Sequence, residues 1–177
     1  MSETRVMLAG FGGQGILFAG KVIAYAGLVE DREVTWMPSY GPEMRGGTAS
    51  CGVTLSDEPV GSPLIVEPTS LGAMNRPSLD KYGGTVVPGG VILIDTTLVD
   101  RMPERDDVTV LSIDATRIAE ENGLKGLANI VLVGKLYEET GFCTAEALEA
   151  GIRKAVPATK AAMVEKNLQA VKIGREA

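Results

Sequence analysis

The first alternation between apolar and polar positions predicts a strand followed by a helix. Residues 6–9 form an apolar run, residues 10–15 are rich in glycine, and residues 16–28 have the character of a helix. A strand that turns sharply into a helix needs residues without a Cβ atom, because they accept positive φ angles and let the backbone approach its neighbours closely. The start of the chain therefore predicts a βα unit with a glycine turn.

The next stretch predicts two further strands separated by a long loop. Residues 33–37 are rich in β-branched and aromatic side chains, and we expect Pro38 to end that strand. Residues 38–47 hold too many glycines and prolines for a regular element. Residues 48–55 are typical of a strand of small side chains, and a short extended piece is expected through residues 64–66. Because the loop is longer than usual, it is a candidate for function.

The remainder alternates strands with helices. Short apolar runs at residues 71–74, 91–95 and 108–113 predict buried strands, and Asn75 and Asp114 are placed to start helices. Three more helices are expected near the end, over residues 129–140, 148–156 after a cap at Thr144, and 160–173 before Gly174. This order predicts one α/β domain over residues 1–177. Its fold is expected to be a Rossmann-like three-layer sandwich with a mainly parallel sheet and helices on both faces.

Composition narrows the function classes. The 177 residues carry a net charge of −6 and no histidine, which excludes catalysis by a histidine base and argues against binding nucleic acid. The two cysteines are too few for a four-cysteine iron–sulfur cluster, and each is expected to be a small buried side chain. Apolar runs are too short for a membrane span and no signal peptide is apparent, so we expect a cytoplasmic protein.

The glycine turn is the first candidate site. Gly10, Gly12 and Gly15 fit the G-x-G-x-x-G spacing, with Gly13 and Gln14 between them. The free N–H groups at the start of the following helix favour an anion such as a phosphate. The alternative is that the glycines only shape a buried turn.

The long loop is the second candidate site. It follows a strand, so in a parallel sheet it should lie at the carboxyl edge beside the glycine turn. Arg45 with Gly46 and Gly47 has the chemistry to present a charged fork to a phosphate or carboxylate, and Tyr40 to add a stacking face or a hydroxyl. Alternatively, Arg45 pairs with Glu43, or the loop forms a partner interface.

A stand-alone NAD(P)-binding protein is the alternative function. The dinucleotide fingerprint requires an acidic residue at the end of the second strand to bind the ribose hydroxyls. Residues 36–40 at that position hold no acid, and Glu30 and Asp31 come before the strand.

Four segments together resemble a known family. The glycine turn at residues 10–15, the loop at 39–47, residues 75–79 and the turn at 88–90 occur in this order. The combination resembles the gamma subunit of 2-oxoacid:ferredoxin oxidoreductases, especially the 2-oxoglutarate type, and the pyruvate and 2-ketoisovalerate enzymes have the same domain type. The resemblance covers nearly the whole chain.

The resemblance implies a subunit without catalytic or metal-binding residues of its own. Alpha and beta subunits, and a ferredoxin-like delta subunit, would hold thiamine diphosphate, Mg²⁺ and [4Fe–4S] clusters, form acyl-coenzyme A and reduce ferredoxin. The gamma subunit would have a structural role and contribute to the coenzyme A site. The candidate contacts are Gly10, Gly12, Gly13, Gln14, Gly15, Tyr40, Arg45, Gly46 and Gly47.

Overall fold

A six-stranded sheet forms the centre of the protein, in the strand order β2-β3-β1-β4-β5-β6. The computed structural model describes residues 2–39 and 48–177. The strands are β1 (Glu3–Phe11), β2 (Glu33–Ser39), β3 (Thr48–Ser56), β4 (Ser70–Ala73), β5 (Val91–Asp95) and β6 (Thr109–Ile113).

Strand directions confirm the mainly parallel sheet. The β1–β4, β4–β5 and β5–β6 pairs are parallel, whereas β3 is antiparallel to both of its neighbours, β1 and β2. Because β3 is reversed between them, β1 and β2 still point the same way. Among the described strands, β3 alone runs against the rest.

Helices lie on both sides of the sheet, as expected for the α/β class. They are α1 (Ile16–Val29), α2 (Arg76–Tyr82), α3 (Ala115–Glu121), α4 (Ala128–Thr140), α5 (Ala145–Ala155) and α6 (Met163–Glu176). Short 3₁₀ turns at Gly83–Thr85 and Ala158–Lys160 complete the described helices. None of these helices is both long and apolar enough to cross a membrane.

Two hydrophobic cores divide the helices between the faces of the sheet. Val6 and Leu8 of β1 point into a large core with α1, α3, α4, α5 and α6. Met7, between them, points into a smaller core with Leu79 of α2. This alternation follows from the two-residue period of a strand. The larger core therefore lies under five helices, and the smaller one under a single short helix and irregular segments.

Local capping signals correctly located two helix starts. The Asn75 side chain accepts a hydrogen bond from Ser78 N at 2.8 Å at the start of α2. The Thr144 hydroxyl accepts one from Ala147 N at 3.2 Å at the start of α5. Both bonds satisfy N–H groups that the first turn of a helix leaves without a backbone acceptor.

Three boundary predictions were wrong. Pro38 does not end β2, which continues to Ser39, since an edge strand tolerates the missing N–H of a proline. Residues 64–66 form no strand. Helix α6 continues through Gly174, because that glycine allows close packing on α4, where a Cβ atom would overlap the Val131 carbonyl oxygen.

Candidate functional site

The glycine turn lies at the carboxyl end of β1, between Phe11 and the first residue of α1. Gly13 has a φ of 90° and Gly15 a φ of 72°, both in the left-handed region that favours glycine. Gly15 is the N-cap residue of α1, and its carbonyl oxygen accepts the first helical bond from Ala19 N at 3.0 Å. The predicted strand–turn–helix context is therefore present.

Gln14 holds the turn closed from inside. Its Oε1 accepts a hydrogen bond from Phe11 N at 2.5 Å, and its Nε2 donates one to the Met74 carbonyl oxygen at 3.2 Å. Met74 directly follows β4, the parallel neighbour of β1. The amide of Gln14 thus ties the turn to the next strand, and its hydrogen-bonding capacity is largely used within the protein.

Gly10 and Gly15 are required for packing. A Cβ atom at Gly10 would overlap Gln14 Oε1 and lie 3.1 Å from Met74 Cβ. At Gly15 it would overlap the Nδ2 atom of Asn129. These two positions of the motif are explained by contacts inside the protein.

Gly12 and Gly13 form the exposed side of the turn. A Cβ atom at Gly13 would meet nothing within 4 Å among the described residues. No described side chain caps the N-terminus of α1, so its first N–H groups have no side-chain acceptor. This side of the turn can accept an anion or a hydrogen-bond acceptor from another molecule.

Asn129 is a supporting residue that sequence analysis missed. It lies near the start of α4 with only 2% of its surface exposed, and its Nδ2 donates a hydrogen bond to the Gly15 carbonyl oxygen at 2.8 Å. The sequence marked it only as the start of a helix. A polar side chain among the apolar residues of α4 was the available signal, since buried amides need partners.

The long loop falls mostly outside the described residues. Tyr40, Arg45, Gly46 and Gly47 all belong to residues 40–47, so their predicted contacts stay predictions. The described strand before the loop, β2, ends at the same edge as β1, and the strand after it, β3, begins there. Thr48 pairs with Phe11, and Ser39 pairs with Ser50. The predicted carboxyl edge is confirmed for the end of β2, which runs in the same direction as β1 with the antiparallel β3 between them.

Comparison with known proteins identifies the family. A family model described as pyruvate ferredoxin/flavodoxin oxidoreductase matches residues 5–177. The chain belongs to this family.

Two relatives of this chain differ greatly in length. The ketoisovalerate oxidoreductase subunit VorA of Methanothermobacter marburgensis is 46% identical over 132 residues, which are 75% of this chain and 27% of that protein. The 2-oxoglutarate synthase subunit KorC of Methanocaldococcus jannaschii is 42% identical over 176 residues, covering 97% of this chain and 92% of the relative. The chain therefore spans about a quarter of the first relative and almost all of the second.

A solved structure agrees with the fold. The gamma subunit of the keto/oxoacid ferredoxin oxidoreductase from Geobacter sulfurreducens superimposes with a TM-score of 0.83 at 31% identity. The match covers 98% of this chain and 96% of that one. The resemblance seen in the sequence is thus confirmed at the level of family and fold.

The NAD(P) alternative finds no support at the strand beside the turn. In this oxidoreductase family member, the parallel neighbour of β1 is β4, and the residues after it are Met74 and Asn75, neither of them acidic. A buried carboxylate farther along the edge, that of Asp95 at the end of β5, accepts hydrogen bonds from Thr97 N and from the N and Oγ1 of Thr116. Its oxygens are engaged inside the protein.

The two cysteines of this family member are poor nucleophiles at neutral pH. Burial raises the pKa of the Cys51 thiol to about 12, against a smaller opposing effect of a hydrogen bond with Trp36. Burial, with the Glu30 charge, raises the pKa of the Cys143 thiol to about 12. Since the thiolate is the reactive form, both side chains act as small apolar residues. Among the described residues, no cluster of acidic or cysteine side chains is grouped to hold a metal ion.

Proposed function

We propose that this chain is the gamma subunit of a cytoplasmic 2-oxoacid:ferredoxin oxidoreductase, with 2-oxoglutarate as the substrate. The observation that carries the proposal is the match to a 2-oxoglutarate synthase subunit over 97% of this chain and 92% of the relative. The structural match to a gamma subunit over 96% of its length supports the same assignment.

The partners would carry the chemistry. An alpha and a beta subunit, with a ferredoxin-like delta subunit, would hold thiamine diphosphate, Mg²⁺ and [4Fe–4S] clusters. The complex would decarboxylate the 2-oxoacid, pass two electrons to ferredoxin and release an acyl-coenzyme A. This chain has no histidine and only two cysteines, too few for a four-cysteine iron–sulfur cluster, which supports placing those groups on the partners.

This chain would contribute to the coenzyme A site through its carboxyl edge. The exposed side of the glycine turn at Gly12 and Gly13 presents backbone to solvent, beside a helix N-terminus that no described side chain caps. Gln14 and Asn129 hold that turn in place from behind. An anionic group of coenzyme A is suited to this position. Arg45, with Gly46 and Gly47 next to it in the sequence, would supply charge, and Tyr40 would add a stacking face or a hydroxyl.

Assembly tests the subunit assignment. The tagged chain is co-expressed with the alpha, beta and delta subunits, and the isolated material is assayed for iron, thiamine diphosphate and ferredoxin reduction. We expect one complex that contains this chain and turns over 2-oxoglutarate faster than pyruvate or 2-oxoisovalerate. A chain that elutes alone, while the other subunits assemble without it, would overturn the assignment.

Replacement of Arg45 tests the coenzyme A contact. In the assembled enzyme, Arg45→Ala should raise the KM for coenzyme A, because a charge-assisted contact to phosphate is removed. The expected loss of binding free energy is on the order of 1–3 kcal/mol. Arg153→Ala is the matched control, since Arg153 is a half-exposed arginine of α5 that pairs with Glu149. An unchanged KM for coenzyme A in Arg45→Ala would exclude this role.

A further inference from the structure

The two faces of the sheet differ in how they are covered at β2 and β3. On the face of the larger core, Cys51, Val53 and Leu55 of β3 pack under the helices. On the opposite face, the alternate residues of β3 meet a segment without regular structure, where the Ile65 side chain lies over Gly52. We call this side the second face.

An apolar groove of about 250 Å³ runs along the second face. It lies between the strands and the segment that follows β3. Its walls are formed by the side chains of Met7, Met37, Pro38, Pro63, Leu64 and Ile65.

The chemistry of the groove suits an uncharged occupant. None of the described residues that line it is charged, although 23% of the chain is Asp, Glu, Lys or Arg. Two of its polar side chains bind each other, since the Tyr82 hydroxyl donates a hydrogen bond to Ser50 Oγ at 3.0 Å. Depletion of charge together with methionine and aromatic side chains is typical of the centre of a protein interface.

Two apolar side chains of the groove are strongly exposed. Met37 is 40% and Leu64 is 60% exposed. Leaving both in water forgoes the stabilisation that burial of apolar surface provides. A partner that covers the groove would recover this free energy.

The lengths of the relatives indicate which partner covers it. In the 46% identical VorA protein the matched region is 27% of the polypeptide, so the same domain is joined covalently to a much longer remainder. In the KorC protein the domain is 92% of the chain. The remainder that is attached to the domain in the first case is absent from the second chain, so a separate subunit that corresponds to this remainder is the partner to consider for the groove.

We propose that the groove on the second face binds an uncharged, apolar segment of the partner subunit that corresponds to the remainder of the longer relatives. This inference rests on the proposed subunit function and adds the surface by which the subunit docks. The Ser39 and Ser50 end of the groove lies at the carboxyl edge, so the docked partner would reach toward the glycine turn.

Cysteines introduced at one position at a time provide the test. Leu64→Cys places a thiol in the groove, and Leu28→Cys places the matched control at the end of α1, where Leu28 is 51% exposed on the helical side. The wild-type chain, which keeps Cys51 and Cys143, is labelled in parallel to give the background rate of the native thiols. The rate of maleimide labelling is compared between the free chain and the complex with the co-expressed alpha, beta and delta subunits.

We expect labelling of Leu64→Cys to slow at least tenfold in the complex, with little change at Leu28→Cys. Equal rates at Leu64→Cys in the free and assembled chain, or equal slowing at both positions, would overturn the docking surface while leaving the subunit function intact. Concentration-dependent protection of Leu64→Cys in the free chain would assign the groove to a second copy and overturn the proposal. If the wild-type chain formed no complex, the proposed function itself would fail, and the docking surface with it.

A second variant measures affinity. Leu64→Lys puts a charge into the uncharged groove, and Leu28→Lys does the same on the control surface. Competition with the wild-type chain during assembly should show at least a tenfold disadvantage for Leu64→Lys and none for Leu28→Lys, with folding of each checked by circular dichroism. Equal incorporation of both variants would contradict the proposal.

Discussion

Two turns at the carboxyl edge of the sheet differ in whether described side chains accept hydrogen bonds from the first N–H groups of the helix. At the start of α3, Thr116 N donates to Asp95 Oδ2 and Arg117 N donates to Thr97 Oγ1, both at 3.2 Å. Between β1 and α1, glycines make the turn and no described side chain caps the helix. Between β6 and α3, the Asp114 side chain accepts a hydrogen bond from Thr96 Oγ1 at 2.6 Å and pairs with Arg117. Asp114 starts α3 as predicted, but its side chain binds these residues and does not cap the helix.

The difference shows which turn can serve another molecule. Beside the β6–α3 turn, Asp95 is fully buried and accepts hydrogen bonds from Thr116 Oγ1 at 2.6 Å and Thr97 N at 3.1 Å. The polar groups of that region are therefore satisfied within the protein. At the β1–α1 turn the inner groups are satisfied by Gln14 and Asn129, whereas Gly12 and Gly13 remain exposed. Of these two turns, the glycine turn is the one whose described residues leave exposed backbone for a ligand or a partner.

Removal of the Asp95 carboxylate should have the largest effect on this comparison. Asp95→Ala should lower the free energy of unfolding by about 3 kcal/mol, because hydrogen bonds from Thr97 and Thr116 to a fully buried carboxylate are lost. Urea denaturation measures the change. Asp106→Ala, at an exposed position nearby in sequence, should change stability by no more than about 0.5 kcal/mol. A loss under about 1 kcal/mol for Asp95→Ala would show that the β6–α3 turn does not depend on this acceptor.

The inner side of the glycine turn should respond next. Gly15→Ala should cost about 2 kcal/mol of stability, because alanine resists the left-handed conformation and its Cβ would overlap Asn129 Nδ2. Thermal unfolding measures the loss. A smaller stability loss from Gly15→Ala in an Asn129→Ala background would confirm the overlap. Equal losses in both backgrounds would leave backbone strain as the cause.

The exposed side of the turn should separate stability from function. Gly13→Ala should cost about 1 kcal/mol, since its φ of 90° strains alanine but the space around it is open. Gly126→Ala is the matched control, with a φ of 88° and similar open space. In the assembled enzyme we expect the KM for coenzyme A to rise about tenfold, or roughly 1.4 kcal/mol, for Gly13→Ala alone. The same KM for both variants would argue that Gly13 has no contact with coenzyme A.

The smallest effect is a pH dependence confined to the β6–α3 turn. Hydrogen bonds from Thr96 and then Arg117 lower the pKa of the Asp114 carboxyl. A lowered folded-state pKa stabilises the protein above the unfolded pKa of about 3.9, and this contribution is lost as pH falls toward the folded value. Stability should therefore fall more between pH 6 and pH 3 in the wild type than in Asp114→Asn, as measured by urea denaturation. Identical slopes would contradict the role of this carboxylate.

Most individual elements could be predicted from the sequence because their causes are local. The apolar run of residues 91–95 became β5, and the cap at Asn75 began α2 where expected. Predictions failed where a distant contact decided the outcome. Pro38 continues a strand because β2 lies at the sheet edge, and Gly174 continues a helix because α4 packs against it. Neither neighbour can be inferred from the residues beside these positions.

The candidate site, too, could be predicted only in part from the sequence. The glycine motif was recognisable because a strand, a turn and a helix follow each other within one short stretch. The different roles of its residues could not be predicted, because Gln14 and Gly15 form hydrogen bonds with Met74 and Asn129, which lie 60 and 114 residues away in the sequence. The predicted roles of Tyr40, Arg45, Gly46 and Gly47 remain to be tested by the variants above.

The sequence by itself determined the α/β class, the order of the elements and the family, because hydrophobic periodicity, turn residues and ordered motifs are properties of neighbouring positions. Only the tertiary structure decided that β3 runs antiparallel to both of its neighbours, that Asn129 supports the glycine turn, and that an uncharged groove is left open beside Met37 and Leu64. Strand direction and side-chain contact depend on which distant segments pack together, and that choice is made by burial across the whole core.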